Sequence, residues 1–203
     1  MLNDFAADIN EEKKLIRKRL IKERLDIIPA DRKRYDEAIL LNLTKLSGYM
    51  TSDILLTYAS YNGEADTFCL IEDAVKNGKR VACPRCTVKN GEPVLEFRYI
   101  GSAKELISGY KGIPEPGEDN TKTVEDRDIK KAAVIIPMVG YDPSGNRIGY
   151  GKGFYDRFLS RNRTGINIGI AYSCQECISL PACRHDIKPD IIVTEKAILK
   201  ISP

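Results

Sequence analysis

From Asp31 to Gly48 the apolar residues Tyr35, Ile39, Leu43 and Leu46 fall on one face of a helix, with Asp31 placed to cap its start and Gly48 to end it. Ahead of this segment, residues 11–26 (EEKKLIRKRLIKERLD) are good helix formers with no Gly or Pro before Pro29, so a helix is expected there too. Residues 53–60 (DILLTYAS) read as a buried strand, 65–78 as a capped helix ending at Gly78, and 79–84 (KRVACP) as a second strand. That is a βαβ unit, and such a unit implies parallel strands.

Beyond an Asn90-Gly91 turn, Leu95, Phe97 and Tyr99 alternate with polar residues as on a half-buried strand, and Ser102 with Glu105 reads as the capping box of a short helix. Prolines and glycines punctuate 109–119, which predicts a long loop without regular structure. Residues 130–139, 165–172 and 189–195 are further strand candidates, with a helix over 153–161. The alternation predicts an α/β fold of three layers, a mostly parallel sheet with helices on both faces, whose ligands sit beyond the carboxyl ends of the strands. With no internal repeat and no linker, 1–203 is expected to form a single domain.

The composition, 42% hydrophobic and 30% charged, is that of a globular protein, and no run of about 18 apolar residues suggests a membrane span. The amino terminus lacks the basic start and apolar core of a secretory signal, so a cytoplasmic location is expected. A net charge of +3 does not argue for nucleic acid by itself. Seven of the twelve residues from Lys13 to Arg24 are nevertheless basic. Of these, Lys13, Arg17 and Arg24 lie within about 40° of one another on a helical wheel.

Two CxxC pairs, Cys83/Cys86 and Cys174/Cys177, stand too far apart in sequence for a usual four-thiolate zinc site and read as reduced thiols. The only histidine, His185, reads as a structural hydrogen-bonding residue.

The sharpest chemical signal is residues 146–159, NRIGYGKGFYDRFL, a glycine loop between a strand's carboxyl end and a helix's amino end. Free backbone N–H groups and the helix dipole favour an anion there. Gly149, Gly151 and Gly153 match neither the Walker nor the dinucleotide pattern, but Arg147 and Lys152 bring positive charge to the same place. Asp156 and Asp186 can offer carboxylates to a magnesium ion riding on phosphates.

In their order along the chain, KKLIRKRL, GIPEPGED, GYDPSGNRIGYGKGFYDRFL and LPACRHDIKPD resemble the 5-formyltetrahydrofolate cyclo-ligase family, also called 5,10-methenyltetrahydrofolate synthetases. The resemblance implies an enzyme that uses ATP and magnesium to convert 5-formyltetrahydrofolate to 5,10-methenyltetrahydrofolate, releasing ADP and phosphate. It further implies a monomer with small-molecule substrates and no nucleic-acid or membrane partner. Carried over by position, Lys13, Lys14 and Arg17 resemble the family's amino-terminal ATP contacts. The stretch Arg147, Ile148, Gly149, Tyr150, Gly151, Lys152, Gly153, Phe154 and Tyr155 resembles its triphosphate loop, with Lys152 and Arg147 as the catalytic pair. Glu64 and Ala59, with residues 150–154, correspond to folate contacts, and Asp156 and Asp186 to the magnesium positions.

The CxxC pairs lie outside that resemblance. They and the basic helix keep a zinc-stabilised nucleic-acid module as the competing reading, beside a kinase or ligase with another acceptor.

Overall fold

The computed structural model describes residues 2–89, 91–117 and 122–202, with side chains from residue 9 onward other than that of residue 89. Asn90 of the expected turn and residues 118–119 at the end of GIPEPGED lie outside the described residues. Helix α1 spans Leu2–Leu25, α2 Pro29–Leu43 and the single turn α3 Ser47–Met50. Strand β1 (Ile54–Leu56), α4 (Phe68–Lys76), β2 (Arg80–Lys89), β3 (Glu92–Ile100), β4 (Leu106–Ser108) and β5 (Pro114–Pro116) follow. The remainder is α5 (Asp126–Ile129), β6 (Ala133–Pro137), β7 (Gly140–Tyr141), β8 (Arg147–Ile148), α6 (Phe154–Arg161), β9 (Ile166–Ile170), β10 (Ile191–Val193) and β11 (Ile198–Lys200).

The main sheet runs β11-β10-β9-β6-β1-β2-β3, parallel from β10 through β2, with an antiparallel strand at each edge. Side chains of a strand alternate between faces, and here both faces are covered. Leu55, Ala133 and Ile135 point to a core shared with Ile39 and Leu43 of α2 and Leu70, Ile71 and Ala74 of α4. Their neighbours Ile54, Leu56, Val134 and Ile136 point the other way, to Ile129 of α5 and Phe158 and Leu159 of α6. The three-layer α/β architecture expected from the sequence is therefore present. Helix α1 lies outside the layers, with Leu20 packed on Val139, Ile148 and Leu180 beyond the carboxyl end of β6. No helix among the described residues is long and apolar enough to cross a membrane.

Several local expectations are corrected. Helix α1 begins well before residue 11, and α2 starts at Pro29 rather than after Asp31. The pyrrolidine ring presets the helical φ at the first position, which leaves Asp31 in the first turn, where it pairs with Arg34 at 2.8 Å. The same helix ends at Leu43, so Leu46 and Gly48 belong to the following segment. Ser102 does accept from the Lys104 N–H at 3.2 Å, but Glu105 takes the Gly101 N–H, so only half of the capping box forms, over a 3-10 turn. The expected loop over 109–119 contains β5, paired antiparallel with β4. Proline is tolerated there because the ladder is short and two-stranded.

Cys83 faces the core with α4 while Cys86 packs on the opposite side of the sheet, as positions three apart in a strand must. The CPRC pair therefore cannot close on one metal ion. All six cysteines are free, and among the described residues no three His, Cys, Asp or Glu side chains converge as a metal site.

Candidate active site

The glycine loop lies between β8 and α6, beyond the carboxyl ends of the parallel strands, and its shape depends on Asp142. This buried carboxylate accepts the N–H groups of Ser144, Asn146 and Leu180 at 2.9 to 3.0 Å and the Asn146 side-chain amide at 2.8 Å. It thereby holds the β7–β8 hairpin, which delivers the loop. Gly151 and Gly153 have φ of 85° and 63°, a region that disfavours residues with a Cβ. A Cβ on Gly151 would also stand 3.2 Å from the Arg17 guanidinium carbon, so that cation lies directly on loop backbone. Gly153 is the residue before α6, leaving the first amides of the helix without a side-chain cap.

Three cations converge on this loop. Arg17 Nε donates to the Gly149 carbonyl at 2.7 Å. Lys13 Nζ donates to Asp186 Oδ2 at 2.6 Å, and Arg147, buried in β8, donates to Asp156 Oδ1 at 2.6 Å and to the Ile187 carbonyl at 2.9 Å. Burial lowers the pKa of Arg147, against the opposing charges of Asp156 and Asp186, and lowers that of Arg17, against Asp186. Both guanidiniums stay charged, because their unperturbed value lies so far above neutrality.

Lys152 is exposed, and its ammonium makes no hydrogen bond or ion pair among the described residues. Its carbonyl accepts from Arg157 Nη2, which fixes the backbone beneath it.

Magnesium suits the two carboxylates. Asp156 Oδ1 takes Arg147 and the Ile187 N–H, and Asp186 Oδ2 takes Lys13 and the Cys183 N–H. Each keeps its other oxygen without a partner among the described residues. One or two carboxylates plus substrate phosphates are the usual donor set for this ion, so the lack of a larger acidic cluster does not count against it.

A second cluster adjoins the first through Tyr150. Arg24 of α1 is fully buried, and its Nη2 donates to the Tyr150 hydroxyl at 2.7 Å and to the Asn62 carbonyl at 2.9 Å. Glu64, also buried, accepts the Tyr61 N–H at 2.9 Å through Oε2, while its Oε1 has no hydrogen-bond partner among the described residues. Arg32 binds the Gly63 carbonyl at 2.7 Å and the Arg24 carbonyl, tying the loop that carries Glu64 to α1.

Burial pushes the Glu64 carboxyl up to about 7, opposed by Arg24, the Tyr61 N–H and the Tyr150 hydroxyl. Between about 4.5 and about 7 the native carboxyl keeps a proton that the unfolded chain has released. This contribution to stability is therefore complete below about 4.5 and is lost as the pH rises through about 7, by up to about 3 kcal/mol. The Glu64→Gln variant is expected to flatten that part of the profile when urea midpoints are compared at about pH 5 and about pH 8. The raised Asp36 carboxyl acts with the same sign but is common to both proteins.

Of the sequence-derived site residues, Lys13, Arg17, Arg147, Gly149, Gly151, Gly153, Asp156 and Asp186 lie together, with Lys152 at the rim. Lys14 instead points to solvent and pairs with Glu11 at 3.0 Å. Ile148 is buried in the core under α1, and Ala59 is buried just beyond β1. Phe154 stands edge-on to Tyr110 at 6.2 Å, whereas Tyr155 is turned inward with its hydroxyl unpaired among the described residues. His185 is exposed and forms no hydrogen bond among the described residues. The residue that site reasoning missed is Arg24, whose signal was its place on the stripe with Lys13 and Arg17.

The profile of the 5-formyltetrahydrofolate cyclo-ligase family matches residues 9–195. The mouse 5-formyltetrahydrofolate cyclo-ligase is 27% identical over 94% of this chain and 97% of its own, and the Escherichia coli K12 enzyme of that name is 31% identical over 70% and 77%. Among solved structures, the 5,10-methenyltetrahydrofolate synthetase of Aquifex aeolicus superposes with a TM-score of 0.79 at 31% identity, covering 94% of this chain and 93% of that one. The Mycoplasma pneumoniae synthetase shares the fold, with a TM-score of 0.69 at 23% identity over 90% and 98%. Profile, relatives and architecture agree along nearly the whole chain, which therefore belongs to the 5-formyltetrahydrofolate cyclo-ligase family and is an ATP-dependent ligase.

Proposed function

We propose that residues 1–203 act as one domain that converts 5-formyltetrahydrofolate to 5,10-methenyltetrahydrofolate, consuming ATP and releasing ADP and phosphate. The observation that carries this reading is the convergence of Lys13, Arg17 and Arg147 on an uncapped glycine loop at the start of α6, next to the buried Arg24–Tyr150–Glu64 cluster. The first part suits a triphosphate and the second a polar heterocycle.

The chemical difficulty is that the formyl oxygen, held in an N5 amide, is a poor leaving group. Attack of that oxygen on the γ-phosphorus breaks the bond to ADP and turns the oxygen into a phosphate ester. N10 then attacks the activated carbon and gives up its proton, closing the ring. The N5 lone pair expels phosphate and leaves the amidinium of the methenyl product. Such transfers depend chiefly on positioning and on cations placed where charge gathers.

Arg147 and Arg17 would hold the phosphates, and Lys152 would meet the transferred group. Loop amides would bind phosphate oxygens, and Glu64 would accept hydrogen bonds from the pterin. The half-exposed Tyr150 and the partly buried Phe154 would supply aromatic faces to the substrate rings. Asp156 and Asp186 would hold magnesium, which when bound supplies charge neutralisation on the phosphates.

The test is the ultraviolet absorbance of the methenyl product in a mixture of protein, 5-formyltetrahydrofolate, magnesium and ATP. A rise that requires ATP is expected. No rise from folded protein that still binds ATP would move the search to another acceptor.

A further inference from the structure

Among the described residues, four buried polar atoms of complementary kind are left unpaired around Tyr150. Arg24 has no partner for Nε or Nη1, Glu64 none for Oε1, and the Tyr155 hydroxyl none. Burying such groups unpaired is costly, and the cost is greatest for charged ones. Arg24 donates to the Asn62 carbonyl and to the Tyr150 hydroxyl while Glu64 accepts the Tyr61 N–H, so the 61–64 turn holds the guanidinium and the carboxylate beside each other.

A ligand that satisfies them must present an acceptor to the guanidinium beside donors to the carboxylate. This is the edge of a lactam that carries an amino group. We infer that Arg24 is a binding residue that reads the 4-oxo group of the pterin while Glu64 reads the neighbouring N–H and amino donors, so that the site selects 4-oxo over 4-amino pteridines. The inference rests on the folate reading above and adds to it both a residue and a selectivity.

A 4-amino ring would turn an N–H donor toward the guanidinium and a bare ring nitrogen toward Glu64. A site built from buried hydrogen-bonding groups rejects such an exchange far more strongly than an apolar pocket rejects a change of size. Tyr150, which covers Arg24 in this arrangement, is 44% exposed and flanked by Gly149 and Gly151, so its ring has room to leave as the pterin enters.

The experiment measures dissociation constants for 5-formyltetrahydrofolate and for its counterpart with an amino group in place of the 4-oxo group, in the wild-type protein and in Arg24→Gln, with MgATP affinity as the structural control. The wild type is expected to prefer the 4-oxo ligand by about 100-fold or more. In Arg24→Gln that ratio should fall by about 10-fold or more, because a side-chain amide can offer either a donor or an acceptor.

Equal affinities in the wild type would overturn the inference, and that result stands even if the variant does not fold. An unchanged ratio in the variant would overturn it as well, including the case where both ligands weaken together with MgATP, which is the mark of a purely structural Arg24. A wild-type protein that binds neither ligand would remove the folate reading itself.

Discussion

Lys152→Ala is expected to lower kcat by about 10²–10⁴-fold while leaving stability within about 0.5 kcal/mol of the wild type. The asymmetry follows from how the cations are held. Lys13 is committed to Asp186, Arg17 to the Gly149 carbonyl and Arg147 to Asp156, whereas the exposed Lys152 ammonium is bonded to nothing among the described residues. On the proposed function it is the group free to follow a phosphoryl from donor to acceptor oxygen. Removing it would then withdraw charge from the transition state, without opening a hole in the core. Single-turnover formation of the methenyl product, read beside a urea unfolding curve, checks both halves of the statement. Near-normal turnover would assign the charge stabilisation to another residue.

Arg147→Met should fail in the opposite way, by losing stability as well as nucleotide binding. Arg147 is 7% exposed, and its loss removes the one cation bonded to Asp156 among the described residues and the side-chain donor to the Ile187 carbonyl. Breaking one side of a buried ion pair typically costs about 3–5 kcal/mol, because the remaining charge has no compensation. Asp156 is partly open to water, which places the expected loss toward the lower figure. ATP affinity should fall in parallel, measured by titration under conditions where the variant is still folded. An Arg147→Lys variant restores charge but not the two-pronged geometry, so it should recover part of the stability and less of the binding.

The central layers were legible in the sequence because they depend on local periodicity. The apolar runs at 54–56, 133–137, 166–170 and 191–193 became four of the five parallel strands, and the helix start at Phe154 was found where the glycine loop ends. What escaped was set by partners distant in sequence. β2 continues to Lys89 because β3 pairs with it, β5 forms on a proline-rich segment because β4 lies alongside, and β11 completes an edge with only three residues. No local pattern announces such short ladders. The same division holds in the site. The glycine loop and its carboxylates carry recognisable spacing, whereas Asp142 and Arg24 owe their roles to burial that only the folded chain creates. Lys14, adjacent to Lys13 in sequence, shows the converse, since one step around a helix turns a neighbour of the site into a solvated surface residue.

The distances along the chain that separate these contacts also set an order in time. Lys13 meets Asp186 across 173 residues, and Arg17 meets Gly149 across 132. At a synthesis rate of about 5–20 residues per second, the first helix emerges from the ribosome on the order of ten to thirty seconds before its last partner exists. Throughout that interval its basic face lacks the acidic and carbonyl groups that will neutralise it, and Leu20 lacks the surface on Val139, Ile148 and Leu180 that will bury it. The nascent chain must therefore carry an exposed cationic helix while the sheet assembles behind it, and the cluster of Lys13, Arg17 and Asp186 closes only after residue 186 has been made.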